Sequence, residues 1–535
     1  MPRLEPTHEP PLANVYVRDR SWGDDTLWSA FSATAARARD RTALVEDHTR
    51  LGFDALAARA EALAARLVAL GIASGDVVAL QLPNWWETVV VLLATARLGA
   101  TAVPIPSIHR ERELGFILRQ TRARALVIPG HYRDCDHRDL VTALRPQLPA
   151  LAEVVVVRDV PAEGMRALDA LPTGSLPPPP SDAGAIALVV YTSGTTADPK
   201  GALHSHRTLL AEARSLEPVH GLGASDTVLM PSPLMHISGI VHALLVPAAL
   251  GSRAVLMPRW DPAEALRLIA AERVTYMVGA PTFLRDLALH VEPGVTDVSS
   301  FRLFSCGGAD VDPALVAQAA DRLGCVAKRV YGSTEFPTIT TTGPADPPAR
   351  RIDSEGRAIG AVEIRVVGDD DRPVPPGREG EILARGPECF LGYLDRALNA
   401  ETFTSDGWFR SGDLGTLDAE GYLRITGRTK DIIIRKGENI SAREIEDLLA
   451  AHPAVEEVAV VGVPDAAAGE IACAVLRLRA GAGAPSLDDV TRHLLARGLS
   501  KRKLPERVAV VDDFPRTASG KVLKRALRER LAGGD

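Results

Sequence analysis

Two long stretches, residues 26–175 and 184–345, alternate between helical and strand periodicity. This alternation constrains the fold more than any other feature of the chain. In the first stretch, 53–70 (FDALAARAEALAARLVAL) spaces its apolar residues as a helix does and stops at Gly71. Residues 86–98 repeat the helical pattern, and short strand-like runs fall at 77–82, 102–105, 125–128 and 154–157. In the second stretch strands are expected at 227–230, 253–256, 276–278 and 303–305, with helices between them. Repeated βα units imply a largely parallel sheet covered by helices. The stretch LPPPPSDA (176–183) reads as a stiff surface linker.

From residue 355 the pattern changes. Short strands at 360–367, 380–384 and 421–425 with Gly-rich turns suggest a small β subdomain. After Gly427 the order is strand, helix (442–451), strands (455–463 and 472–478), helix (487–499) and strand (507–511), which suits a small α+β domain. The expected class is therefore α/β: a large N-terminal domain of two α/β subdomains plus a small β subdomain, then a small α+β C-terminal domain. No internal repeat is evident.

A chain of 535 residues exceeds one ordinary core, so at least two domains are expected. The net charge of −7 argues against a general nucleic-acid binder. The five cysteines are odd in number and lack CxxC or Cys/His spacing, which fits a reducing compartment without structural zinc. The polar, Pro-rich start is unlike a signal peptide, and no apolar run approaches the roughly 20 residues needed to span a bilayer. A cytoplasmic protein without stable membrane insertion is the expectation.

Residues 191–201 (YTSGTTADPKG) place Ser193, Gly194, Thr195 and Thr196 between an apolar run and Lys200. An apolar strand feeding a Gly/Thr turn lets backbone N–H groups and hydroxyls cradle phosphate oxygens, because glycine permits close approach. The spacing differs from the P-loop pattern. Lysine usage gives a second clue. The chain has eight lysines among 61 basic residues, so arginine supplies nearly every surface cation. Lysines that remain are candidates for positions needing a compact ammonium. Lys200, Lys430, Lys436 and Lys521 lie in Gly-containing motifs, whereas Lys501, Lys503 and Lys524 read as surface residues.

Five further segments join this loop: PLMHISG (233–239), GGAD (307–310), YGSTE (331–335), WFRSGDLG (408–415) with GYLRITGRTKD (421–431), and PRTASGK (515–521). In this order, from about residue 26 to Lys524, they resemble the ANL superfamily of adenylate-forming enzymes, which includes acyl-CoA synthetases, peptide-synthetase adenylation domains and luciferases. A carboxylate after a Gly-Ser-Thr turn, as at Glu335, can ligate Mg²⁺ beside phosphate oxygens. Asp413, in what reads as a tight turn, can accept both ribose hydroxyl protons, or else form an Asx turn. Gly307, Gly308 and Ala309 lack bulk where adenine could lie.

The resemblance adds roles. It implies that Thr192, Ser193, Gly194, Thr195, Thr196 and Lys200, with Tyr331, Gly332, Ser333 and Thr334, bind ATP and AMP, Thr334 through the α-phosphate. Glu335 contacts the metal, and Arg428 is a second ribose contact. Lys521 matches the catalytic lysine that bridges substrate carboxylate and α-phosphate, and Thr195, Glu335 and His236 complete the catalytic set. The domains implied are 1–429 and 430–535, with a hinge at Lys430. Rotation about it withdraws Lys521 and brings Lys436 and Gly437 to a tunnel for the thiol. His236 matches the gate between pocket and tunnel, and Ser238 and His242 fall on the acid side.

The activity implied is ATP-dependent activation of a small or medium organic acid to an acyl-adenylate, then transfer to a thiol. ATP, Mg²⁺ and coenzyme A are the expected cofactors. The 14 residues after Lys521 suggest no fused carrier domain, which favours coenzyme A over a separate carrier protein. A small pocket with Ser238 and His242 suggests a compact acid with a polar group. Alternatives are an unusual oxyacid such as nitrite, carrier-protein loading, or a non-catalytic binding homologue; intact Thr195, Glu335, Asp413 and Lys521 oppose the last. The oligomeric state is not legible.

Overall fold

The computed structural model describes residues 3–192, 199–309, 311–435, 438–465, 468–516 and 522–532. They form two compact units. The first comprises 1–352, 356–363 and 385–409, and the second 353–355, 364–384 and 410–535.

Two sheets organise the first unit. One runs, edge to edge, Lys200–Ser205, Ile186–Thr192, Thr101–Pro104, Val77–Leu80, Ala125–Pro129, Glu153–Val157, Arg166–Ala167. All its neighbours are parallel except the Ile186–Thr192/Lys200–Ser205 pair. The other has nine strands, with Thr227–Met230, Tyr276–Gly279, Leu303–Gly307 and Val326–Tyr331 parallel at its centre. The two sequence runs thus exchange strands. The strands flanking the Thr-rich loop complete the sheet of the first run, and Thr42–Glu46 with Thr49–Gly52 closes the edge of the second. Periodicity marks a strand but not its partner, so this exchange is absent from the sequence pattern. The linker 176–183 has no helix or strand.

Local chemistry sets the elements. Phe53–Ala69 buries Phe53, Leu56, Ala60, Leu63 and Leu67 along one stripe, as a surface helix must. Trp86–Leu98 is buried on nearly every side and ends at Gly99, whose φ of +75° is the left-handed stop that favours glycine. Behind the nine-stranded sheet, Leu229, Met277, Phe304, Cys306 and Ala327 pack against Leu266, Leu284 and Val316 in one apolar core. The side chains at 276, 305 and 328 alternate to the opposite face.

In the second unit, Glu363–Val367, Glu379–Arg385, Phe409–Leu417 and Leu423–Arg428 form a four-stranded sheet that falls almost wholly within it. A five-stranded sheet follows, with Glu438–Ser441, Ile432–Arg435, Gly469–Leu478 and Val455–Asp465 in sequence across it and Arg507–Val510 parallel to Gly469–Leu478. Ala442–Leu449 and Leu487–Ala496 supply Ile445, Leu449, Val490 and Leu494 to one core of this unit, and Leu527 from Lys524–Ala532 joins another. The α/β class with large and small parts is as expected.

Candidate active site

The strand Val326–Tyr331 delivers the chain to a turn that closes on itself. Ser333 N–H donates to the Phe336 carbonyl at 2.8 Å, and Phe336 N–H donates to Ser333 Oγ at 3.2 Å. A Cβ on Gly332 would lie 2.0 Å from the Pro337 carbonyl oxygen, so only glycine permits the turn. The turn is anchored from outside at two points. His204 Nε2 donates to the Thr334 carbonyl at 2.8 Å, and Phe390 N–H donates to the Glu335 carbonyl at 2.8 Å. Burial pushes the His204 imidazole down to about 4, so it is neutral at pH 7, and its Nε2 contact with a carbonyl fixes which nitrogen carries the proton.

The Glu335 side chain is held as well. Tyr393 Oη donates to Glu335 Oε1 at 2.5 Å, and Lys200 Nζ sits 5.3 Å from the centroid of the Tyr393 ring. Burial, and then the Glu335 charge, push the Tyr393 hydroxyl far above its ordinary range, so it stays a donor. The structure thereby brings together Lys200 from the end of the Thr-rich loop and Glu335 from the YGSTE turn. Tyr393 and His204, both absent from the sequence reading, link and support them. The signal that could have found Tyr393 is the Gly392–Tyr393 pair, where Gly392 has φ +91° and Leu203 N–H donates to its carbonyl at 3.0 Å.

Gly307 ends its strand against Val330, whose carbonyl oxygen would lie 2.4 Å from an added Cβ. Gly308 follows at φ +79° with open space beside it, and Ala309 is exposed. A flat ring could approach this backbone. His236 is half-buried and precedes the short helix Ile237–Ile240. Gly239 must be glycine, because a Cβ there would meet the Pro233 carbonyl oxygen at 2.3 Å. Ser238 is half-buried, and His242, one turn on, is 5% exposed.

Asp413 and Arg428 lie in the second unit, opposite each other in the antiparallel pair Phe409–Leu417 and Leu423–Arg428, with Arg428 Nε 2.8 Å from Asp413 Oδ1. Asp413 is therefore in a strand and not the tight turn read from SGDLG. Gly412 at φ +71° and an irregular register after Leu414 give that strand a turn-like sequence. Lys430 occupies the middle of the single turn Thr429–Asp431, between Leu423–Arg428 and Ile432–Arg435. Arg435, just before Lys436, is tied to Glu506 and to the carbonyls of Arg502 and Leu504. Ser193, Gly194, Thr195, Thr196, Asp310, Lys436, Gly437 and Lys521 lie outside the described residues.

Among the described residues no group of three or more His, Cys, Asp or Glu could hold a metal ion by itself. Mg²⁺ is commonly held by one or two carboxylates together with phosphate oxygens and water. Glu335, expected from the sequence to contact the metal, has its carboxylate held by Tyr393. No helix of the described residues is long and apolar enough to cross a membrane.

The chain belongs to the AMP-binding enzyme family. The model of that family matches residues 31–394, and the model of its C-terminal domain matches 444–521. It is an AMP-forming acid–thiol ligase of the acyl-CoA synthetase type, a class whose cofactors are ATP, Mg²⁺ and coenzyme A. The chain is 37% identical to the medium-chain fatty-acid–CoA ligase of Escherichia coli over 97% of this chain and 92% of that protein. It is 32% identical to the 2,3-dihydroxybenzoate–AMP ligase of Bacillus subtilis, over 97% and 96%. Among solved structures, ATP-bound MatB from Rhodopseudomonas palustris superposes with a TM-score of 0.85 at 30% identity, covering 95% of this chain and 99% of that one.

Proposed function

We propose that the protein activates a small or medium organic acid with ATP and transfers the acyl group to coenzyme A. The observation that carries this reading is the Lys200–Tyr393–Glu335 arrangement beside the glycine-dependent turn of residues 332–337. A cation and a fixed carboxylate side by side are what a triphosphate–Mg²⁺ unit needs.

In this reading Thr192 to Thr196 and Lys200 cradle the phosphates, Thr334 bonds the α-phosphate, and Glu335 holds Mg²⁺. Gly307, Gly308 and Ala309 face adenine, with Tyr331 beside them, and Asp413 and Arg428 take the ribose. Mg²⁺, when bound, neutralises phosphate charge. The substrate carboxylate oxygen attacks the α-phosphorus, the α–β P–O bond breaks, and pyrophosphate leaves. Lys521 counters the charge that accumulates, the electrostatic contribution that is usually largest. The 430–535 part then turns about Lys430, and Lys436 and Gly437 line the thiol path past the His236 gate. The thiolate attacks the acyl carbon, and AMP departs with the former carboxylate oxygen.

The CoA ligase of Escherichia coli supports coenzyme A as acceptor, and the protein is expected to work in the cytoplasm. A second reading, in which a separate carrier protein takes the acyl group, draws on the relative named for its AMP-ligase step. ATP–pyrophosphate exchange over a panel of acids, then thioester formation with coenzyme A or a carrier, separates the two. Lys521→Ala should lower exchange more than about a hundredfold, on the scale of the roughly 3–4 kcal/mol of an oxyanion donor, yet spare thioester formation from supplied acyl-adenylate. Equal loss of both half-reactions would refute the assigned role.

A further inference from the structure

Seven of the eight lysines have a motif or a surface to account for them; Lys328 has neither. It is 0% exposed, in the middle of Val326–Tyr331. Its Nζ meets Thr341 Oγ1 at 2.5 Å and has no carboxylate within ion-pair range among the described residues. Burial holds its ammonium well below the ordinary lysine range. A buried lysine without a counter-charge is costly, so a chain that spares lysine elsewhere needs a reason for keeping one here.

Its neighbours are of the same kind. Ser305 stands directly opposite Lys328 in the strand pairing, and Val278, two residues beyond Tyr276, stands opposite Ser305. The alternating residues Met277, Phe304 and Ala327 fill the apolar core on the other face, so Tyr276, Ser305 and Lys328 share one face. The ring of His242 packs edge-on to Tyr276, centroids 6.0 Å apart, and His220 lies close enough to feel the charge of both Lys328 and His242. Tyr276 Oη, Ser305 Oγ, His242 Nδ1 and His220 Nδ1 are all buried without a hydrogen-bond partner among the described residues. A native interior satisfies nearly all such groups, so a cluster of them calls for a ligand.

The cluster also sits at the right depth. Ser305 is two residues, or about 7 Å of strand, behind Gly307. His242 is one helical turn beyond Ser238, on the acid side of His236. We infer that this cluster is the floor of the acid pocket and reads a second, anionic group on the substrate, with Lys328 as its counter-charge and Tyr276, Ser305 and His242 as its hydrogen-bond partners. The acid is then a compact dianion, a dicarboxylate or a carboxylate–sulfonate, and not a plain alkyl acid. This rests on the acid-activating reading above and narrows it.

The test is ATP–pyrophosphate exchange with straight-chain dicarboxylates of about five to seven carbons, the span set by that depth, against monocarboxylates of equal length. Benzene-1,3-dicarboxylate against benzoate provides a rigid pair. The wild-type protein should favour the dianion at least about tenfold in kcat/KM, and Lys328→Met should reverse the order, since a site built for a polar group rejects an analogue lacking it. Because Lys328→Met fills a core position, calorimetry on the wild-type protein provides an independent readout. The dissociation constant of a dianion should lie at least about tenfold below that of the monocarboxylate of equal length. Preference for monocarboxylates in the wild-type protein, in exchange or in binding, overturns the inference and leaves the acid-ligase reading standing. No exchange with any acid overturns both.

Discussion

Tyr393→Phe removes one hydroxyl and little else, which makes it a clean probe of how Glu335 is placed. The ring would keep its edge-on contact with Phe390, at 4.9 Å between centroids, and its position under Lys200. The backbone of the turn is fixed independently, by Phe390 N–H on the Glu335 carbonyl and by the Ser333–Phe336 bonds. Only the 2.5 Å hydrogen bond to the Glu335 carboxylate is lost. Hydrogen bonds to charged groups contribute about 1.5–3 kcal/mol, which is roughly ten- to a hundredfold in an equilibrium constant. Partners that orient a metal-ligating carboxylate act on a similar scale, about 10–100-fold in affinity or activity. If Glu335 holds Mg²⁺, the Mg²⁺ concentration for half-maximal exchange should rise by that factor while the melting temperature stays nearly constant. An unchanged Mg²⁺ dependence would refute the argument. A proportional loss of thermal stability would assign Tyr393 to packing alone.

Three further outcomes follow from other parts of the molecule. Arg158 pairs with Glu46 at 2.8 Å and Glu87 at 2.7 Å, whose side chains are 3% and 6% exposed, so Arg158→Met should cost about 3–5 kcal/mol in urea unfolding by stranding two buried carboxylates. Gly332→Ala should abolish exchange and lower the unfolding free energy by about 1–3 kcal/mol in a denaturant titration, because the added Cβ meets backbone that no rotamer change can move. Stability should peak near pH 6.5 in thermal melts: burial depresses His137, His204 and His206 to about 4 and His242 to about 3, stabilisation present above the unfolded value of about 6.5 and lost as pH falls below it, while burial raises Glu388 to about 7 and Glu212 to about 8, stabilisation present below about 4.5 and lost as pH rises through 7 and 8. Glu212→Gln should flatten the alkaline side and steepen the acid side between about pH 4.5 and 6.5.

What could be read from the sequence was local. The helix at 86–98 and the strands at 227–230 and 253–256 match residue for residue, because short apolar runs and a left-handed glycine are signals a single segment carries. What could not be read depended on partners far along the chain. Lys200–Ser205 (KGALHS) has no alternating pattern, yet it pairs along its length with Ile186–Thr192. Tyr393 acts on a glutamate 58 residues away, and His204 on a carbonyl 130 residues away, so neither has a local signature. Lys328 lies between these cases. No motif marks it, and its surroundings come from several separated segments. Its anomaly was nevertheless present in the composition, because a chain that writes arginine wherever a surface cation will serve had left one lysine among valines and alanine. The difference between the two cations is physical: lysine can shed its proton when buried and recover it when an anion arrives, whereas arginine keeps its charge. A pocket that must stay tolerable when unliganded yet meet a negative group therefore selects lysine, and the residue the motifs leave over is where the substrate's second charge should be sought.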